Sequence, residues 1–335
     1  MDTNVRVADP SPPKLIGSFI SGFNAVANHI ELILFPLAID LLLWFGPHIN
    51  LKGVISPIMQ QVVSLPELNT PDMANVLTTL KSFWTFVIDR FNLTSMLRTY
   101  PIGVPSLMSS QAPIKTPLGP APVWQVNSAF GAFGLFVLIS FIGIILGAWY
   151  FNRVSQVVFP KEGGSGIITI GWDTVQIIML TFALFLLLLV LIIPAMILLN
   201  LIMMINQGFA QIVLFLFLII MIWLMVPLLF SAHGIFVFHQ NVLISILTSA
   251  RIIRFLMPGS MIFFFIILII SQAMDLLWLV PPASSWMALV GIAGHAFITT
   301  GLLAASFVYY GAAIKWLQEV VQQNSNSQKQ TTTNI

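Results

Sequence analysis

The run from Val175 to Ile205 holds 31 residues and not one charged side chain. An α-helix rises 1.5 Å per residue, so about 20 apolar residues cross the roughly 30 Å hydrocarbon layer of a bilayer, and this run crosses with length to spare. The chain as a whole agrees: 58% of its residues are hydrophobic and 7% charged, where soluble domains carry about 25% charged residues. These features predict an all-α fold, a polytopic integral membrane helical bundle of about six transmembrane helices with interfacial amphipathic helices.

Several functional classes fall away. A net charge of +2 without a lysine or arginine block leaves no footprint for nucleic acid. The chain contains no cysteine, which removes disulfides, thiolate-bound metals, iron–sulfur clusters, covalent haem attachment and thiol nucleophiles. No HExxH or His/carboxylate cluster is present, so neither a metal nor a cofactor is expected. Gly163-Gly164-Ser165-Gly166 follows Lys161 but lacks the lysine and hydroxyl of a phosphate-binding loop, and reads as a linker.

Six spans are expected: Ile30–Trp44, Ala129–Phe151, Val175–Ile205, Phe209–Phe230, Met261–Leu279 and Trp286–Ile314. The first is short and contains Pro36 and Asp40, so a re-entrant hairpin or an interfacial helix is its alternative. With six crossings, one side collects Arg6, Lys14, Arg153, Lys161, Arg251, Arg254, Lys315 and Lys329. The other holds Lys52, Lys81, Arg90, Arg98 and Lys115, all in one long segment. Lysine and arginine near short loops favour the cytoplasm, which predicts a multi-pass protein of the cell membrane with both termini cytoplasmic.

Residues 1–13 read as a disordered polar lead, 14–316 as a single membrane domain and 317–335 as a disordered polar tail. Between the first two spans lies an outer segment, 46–128. Thr70-Pro71-Asp72 offers a cap, a proline at the first helical position and an early acid. From Met73 to Phe91 apolar residues recur at three- and four-residue spacing, which predicts an amphipathic helix over 71–98 lying on the membrane or capping the bundle. Six prolines between Pro101 and Pro122 then predict an extended cover over 100–123.

Three spans follow an amphipathic stretch. Before the first, Lys14, Ser18, Ser21, Asn24 and Asn28 oppose Leu15, Phe19, Phe23, Val26 and Ala27; before the fifth, Asn241, Ser245, Thr248, Arg251 and Arg254 oppose Val242, Ile246, Leu247, Ala250 and Ile253. Gly166 to Trp172 is a shorter counterpart before the third. The chain thus reads as three units of interfacial helix, span, outer loop and span. This unit pattern, with the stretch Asn241-Val242-Leu243-Ile244-Ser245-Ile246-Leu247-Thr248-Ser249-Ala250-Arg251, resembles a group of bacterial six-span membrane proteins that includes the membrane domain attached to some glycerophosphodiester phosphodiesterases. The resemblance covers mainly the second half. The soluble phosphodiesterase barrel has no counterpart here, so the resemblance brings no catalytic residue.

An aspartate near the membrane centre costs about 3 kcal/mol, which makes an intramembrane carboxylate a functional candidate. Asp40 and Asp275 qualify as an ion or proton site, although Trp44 and Trp278 place both near an interface, where they could simply accept hydrogen bonds from indoles or loop amides. His295, among Gly291, Gly294, Thr299, Thr300 and Gly301, is a candidate polar or ligand position, with close helix packing as the plain alternative and axial ligation of a haem or chlorin as another. Arg251 and Arg254 are candidate lipid head-group contacts. The function expected from sequence is a non-enzymatic scaffold or subunit, packing with membrane lipids or other membrane proteins. The alternative is a transporter or channel for a small solute, ion or lipid, using Asp40 and Asp275.

Overall fold

A computed structural model of the protein describes residues 11–64, 74–160 and 166–333. Most of the expected N-terminal lead, the Thr70-Pro71-Asp72 helix start and most of the linker at 163–166 lie outside them. The fold is all-α. In chain order the elements are α1 (Leu15–Asn28), α2 (Leu34–Phe45), β1 (His48–Asn50), α3 (Lys52–Val63), α4 (Ala74–Arg90), α5 (Met108–Gln111), β2 (Lys115–Thr116), β3 (Gly119–Pro120), β4 (Val123–Gln125), α6 (Ala129–Val158), α7 (Ile167–Ile205), α8 (Gln207–Met225), α9 (Ser231–Phe238), α10 (Val242–Trp278) and α11 (Ala288–Thr333).

Five stretches, Ala129–Val158, Ile167–Ile205, Gln207–Phe238, Val242–Trp278 and Ala288–Gln323, are long and apolar enough to cross a membrane, and the broken pair Leu15–Asn28 with Ile30–Phe45 would make a sixth. The break falls at His29 (φ −131°, ψ 61°), between the expected interfacial helix and the expected first span. A second hand-over is the kink in α10 at Leu256 (φ −116°, ψ 24°), just ahead of Pro258. The proline ring clashes with the carbonyl one turn back and lacks an N–H to bond it. The third expected hand-over, near Trp172, does not form: α7 runs unbroken from Ile167, because Gly171 alone costs a helix only about 1 kcal/mol. At the other end α11 continues to Thr333, through the stretch read as a disordered tail. No glycine or proline follows Gly311, and Gln, Glu and Lys are good helix formers.

Within the expected single membrane domain the structure distinguishes two compact units, one of Met1–His29, Asn152–Ile269 and Gly301–Ile335, the other of Ile30–Phe151 and Ile270–Thr300. In the second unit, α4 ends at Arg90 rather than near residue 98. Asn92 leaves the helical region, and its Oδ1 accepts from the N–H of Thr94 and of Ile49, starting a 3-10 turn over Leu93–Leu97. A side chain that satisfies local backbone donors competes with helix continuation. Leu77 and Ile88 of the apolar stripe are buried, whereas Phe83 remains 58% exposed. The helix α3, for which the sequence reading had no expectation, packs alongside α4.

The proline-rich stretch is a packed cover. Ile102, Val104, Leu107 and Met108 are buried, and β4 pairs in parallel with β1, Ile49 opposite Trp124. The cover presses backbone to backbone on α6. A Cβ on Gly143 would come 2.5 Å from the Leu97 carbonyl oxygen, and one on Gly147 would come 2.8 Å from the Gly103 Cα.

In the first unit, α1 meets α11 at Gly22, where a Cβ would lie 2.3 Å from the backbone nitrogen of Ala305. The buried face of α1 is therefore Ser18, Gly22 and Val26, and Ser18 does not belong to a solvent face as expected: its hydroxyl is turned inward on the Lys14 carbonyl. Phe230, Phe263, Phe307, Tyr309 and Tyr310 are all buried, with the Phe263 and Tyr309 rings stacked at 4.3 Å. Pro227 interrupts the fourth span, and α10 repairs the interruption. Ser249 Oγ donates to the Pro227 carbonyl and accepts from the Phe230 N–H, and Ser245 Oγ donates to the Ser231 carbonyl. Asn206 closes the α7–α8 turn by accepting from the Phe209 N–H.

The backbone contact at Gly147 yields a paired test on one helix. Gly147→Ala forces the cover off α6 and should destabilise the protein by about 1–3 kcal/mol. Gly134→Ala, with nothing within 4 Å of the new Cβ, should leave thermal stability in detergent unchanged or slightly raised. Equal melting temperatures for both variants would contradict this packing.

Candidate functional site: a carboxylate–imidazole–carboxylate chain

Asp40 lies on the packed face of α2, one position after Ile39 and a turn before Leu43 and Trp44, all buried. Its side chain is wholly shielded, at 0% exposure. Oδ1 accepts from the Ser106 hydroxyl at 2.5 Å and from the Met108 N–H at 2.8 Å. Ser106 is in turn held by the chain around it: its Oγ accepts from the Ser109 N–H, and its carbonyl accepts from Arg98 Nη1. The loop hydroxyl and amide thus orient one oxygen of Asp40. The other, Oδ2, is buried and has no hydrogen-bond partner among the described residues.

His295 sits in the early part of α11, where Gly294 receives the indole ring of Trp278. His295 Nδ1 donates to Asp275 Oδ1 at 2.8 Å; the imidazole is 3% exposed and the Asp275 side chain 27%. Nε2 is buried without a partner among the described residues. His295 lies within electrostatic range of Asp40, but of the two carboxylates that the sequence singles out only Asp275 is bonded to the imidazole. Asp40 Oδ2 and His295 Nε2 are both unpartnered, so they are not hydrogen-bonded to each other. One turn further along α11, Tyr150 donates to Thr300 Oγ1 at 2.9 Å, and Thr300 donates to the Ala296 carbonyl.

Of the plain reading, two interfacial carboxylates accepting from indoles or loop amides, the loop amide is present at Asp40 and the indoles bond neither acid. Asp40 does accept a loop amide, but Trp44 Nε1 donates to the Ala283 carbonyl at 2.7 Å, and Trp278 Nε1 has no partner among the described residues. Asp275 turns to an imidazole. No group of three acidic or histidine side chains among the described residues is placed to hold a metal ion. Chemically, then, the array is suited to holding and passing a proton: a partly exposed carboxylate, a buried imidazole with one nitrogen uncommitted, and a buried carboxylate with one oxygen uncommitted. Arg251 and Arg254 are exposed on α10, on the side away from buried Ile252 and Ile253, a placement open to head groups.

A second buried carboxylate escaped the sequence reading. Asp173, 1% exposed, accepts from Asn152 Nδ2 at 3.0 Å, and His239 Nδ1 lies 2.8 and 2.9 Å from its two oxygens. Gln156 donates to Asn152 Oδ1, and Gln176 Oε1 accepts from the Val242 N–H. This network joins the ends of α6, α7, α9 and α10. Asp173 is the only charged residue between Glu162 and Arg251, and that isolation was the available signal.

The Ser106 bond gives a direct check of how Asp40 is held. Ser106→Ala leaves a buried carboxylate oxygen short of one donor and should lower stability by about 1–3 kcal/mol in a detergent melt; an unchanged melting temperature would mean that the hydroxyl does not support Asp40. Comparison of the chain with known protein families, with curated proteins and with solved structures returns no match.

Proposed function

We propose that this is a multi-pass protein of the cell membrane, both termini cytoplasmic, that conducts protons or couples a small solute to them through Asp275, His295 and Asp40. The observation that carries this reading is the buried His295, bonded through Nδ1 to the partly exposed Asp275 and within electrostatic range of the wholly buried Asp40. Removing ionisable groups from water costs several kcal/mol each unless they are paired, and a purely structural bundle has no need to leave Asp40 Oδ2 and His295 Nε2 without partners among the described residues. In the proposed sequence Asp275 takes a proton from water and passes it to Nδ1 of a His295 ring that carries its own proton on Nε2, the proton next released toward Asp40. The resulting imidazolium attracts Asp40, whose free oxygen receives the proton. The gap exceeds a hydrogen bond, so the transfer runs through a bridging water or hydronium.

A second reading, the scaffold or subunit expected from sequence, has its own support. In their most apolar windows α7 is 0% buried and the α8 span 6%, against 56% for α11. That hairpin offers its side chains to lipid or to another membrane protein. Membership of the six-span group is part of either reading, supported by the separations at His29 and Leu256.

In liposomes containing a pH-sensitive dye and driven by a potassium diffusion potential, the wild type should take up protons, and His295→Gln or Asp40→Asn should reduce the rate by about a hundredfold or more. Wild-type flux no greater than that of protein-free vesicles would sink the proton reading and leave the scaffold. For the topology, single cysteines at exposed Ser21 and Gln322 should resist an impermeant thiol reagent in intact cells, while one at Leu118, on the hairpin tip, should react. Labelling at Ser21 alone would mean that the first broken helix pair does not cross.

A further inference from the structure

The loop between α10 and α11 and the end of the outer segment enclose a cleft of about 360 Å³ lined by Arg90, Gln111, Ala112, Pro113, Ile114, Lys115, Ala283 and Ser284. Two of these residues are cations, and neither has an anionic partner among the described residues. Asp89, next to Arg90, lies 4.0 Å from Lys52 instead, and the Arg90 guanidinium is steadied by the Phe86 ring 4.6 Å below it. Gln111 contributes a buried Oε1 with no hydrogen-bond partner among the described residues. The walls are preorganised. Ala112, in the left-handed conformation, ends α5 and turns the chain. Lys115 stands at the base of the β2–β3 hairpin, where Thr116 Oγ1 donates to the Gly119 carbonyl and accepts from the Leu118 N–H. The Ala283 carbonyl is tied to Trp44.

We propose that this cleft binds a phosphate-bearing anion, presented by an anionic phospholipid or free in solution. Two cations without an anionic partner among the described residues supply the charge complement, with Arg90 able to grip two phosphate oxygens in a fork and Lys115 acting as a point charge. Gln111 Oε1 requires a donor, which a phosphate hydroxyl or the hydroxyl of a lipid head group provides. Exposed Ile114 and Leu118 beside the cleft, and Trp286 and Met287 just beyond Ser284, are the apolar and aromatic neighbours that a lipid-borne phosphate would bring its glycerol and chains against. The site is independent of the proton chain, since none of its residues belongs to it.

The test uses the full chain in phosphatidylcholine nanodiscs, reading melting temperature against added short-chain phosphatidylglycerol or inorganic phosphate. Phosphatidylglycerol should stabilise the wild type, and the Arg90→Gln/Lys115→Gln variant should need roughly tenfold more or greater for the same shift. Lys81→Gln removes one positive charge outside the cleft, as Lys115→Gln removes one inside it, and should respond as the wild type does. Lys115→Gln alone, on a side chain with no anionic partner among the described residues, guards against a fold defect in the double variant. A shift with phosphate as well assigns the source to a free anion; a shift with the lipid alone assigns it to the head group. Equal responses of the wild type and the double variant, or no response from the wild type, would overturn the proposal.

Discussion

Backbone hydrogen bonding in a medium without water is the constraint on which the rest of this structure depends. Along an unbroken helix the bonds close internally. Wherever the helix stops inside the apolar zone, other parts of the chain must finish the job. Pro227 and the turn after it free the Pro227 and Ser231 carbonyls and the Phe230 N–H, and Ser245 and Ser249 of α10 bond all three. The cover segment solves the same problem at Ser106 and Met108, where the hydroxyl and amide are taken by Asp40. A charged side chain deep in the packed interior thus serves as an acceptor for backbone that left its helix.

Close approach without side chains is the second theme. Oil against oil has no hydrophobic driving force inside a bilayer, so association relies on van der Waals contact and on polar bonds across the contact. Gly143 and Gly147 let an irregular segment, rather than a helix, lie directly on α6, and Gly22 brings α1 onto the backbone at Ala305. By contrast α8 and α7 beyond its first turns carry large aliphatic and aromatic side chains that stay mostly exposed. That division separates a glycine-lined, polar-bonded interior from a flank suited to lipid.

The two buried carboxylates have opposite surroundings. Asp173 is bonded by an amide and by a partly exposed histidine, and ties four helix ends together. Asp40 is fixed through one oxygen, with the other uncommitted and a buried imidazole near enough to feel its charge. A fully bonded network rigidifies, whereas a partly bonded one leaves a place for a mobile proton. That difference is why the proton proposal rests on Asp40 and not on the acid with more partners.

Hydrophobic length alone marked the membrane helices, because a charge-free run such as Val175–Ile205 permits only one kind of solvent. The hand-over before the fifth span was legible as the change from the amphipathic stretch ending at Arg254 to the fully apolar run from Met261, and Pro258 supplies the local reason for the kink at Leu256. Isolated charges also pointed to Asp40, Asp275 and His295, since ionisable groups in apolar runs are few. Tertiary structure decided what those residues meet. Sequence spacing places Asp275 and His295 on different helices and Asp40 more than 200 positions away, and no periodicity encodes which carboxylate an imidazole will choose. It likewise left open that Gly147 would face a glycine in a loop, that Ser18 would turn inward, and that Asn92 would end a helix read as running to residue 98. These outcomes depend on long-range contacts between segments whose local patterns are each satisfied in several ways, whereas span length and helix breaking are fixed by the bonds of neighbouring residues.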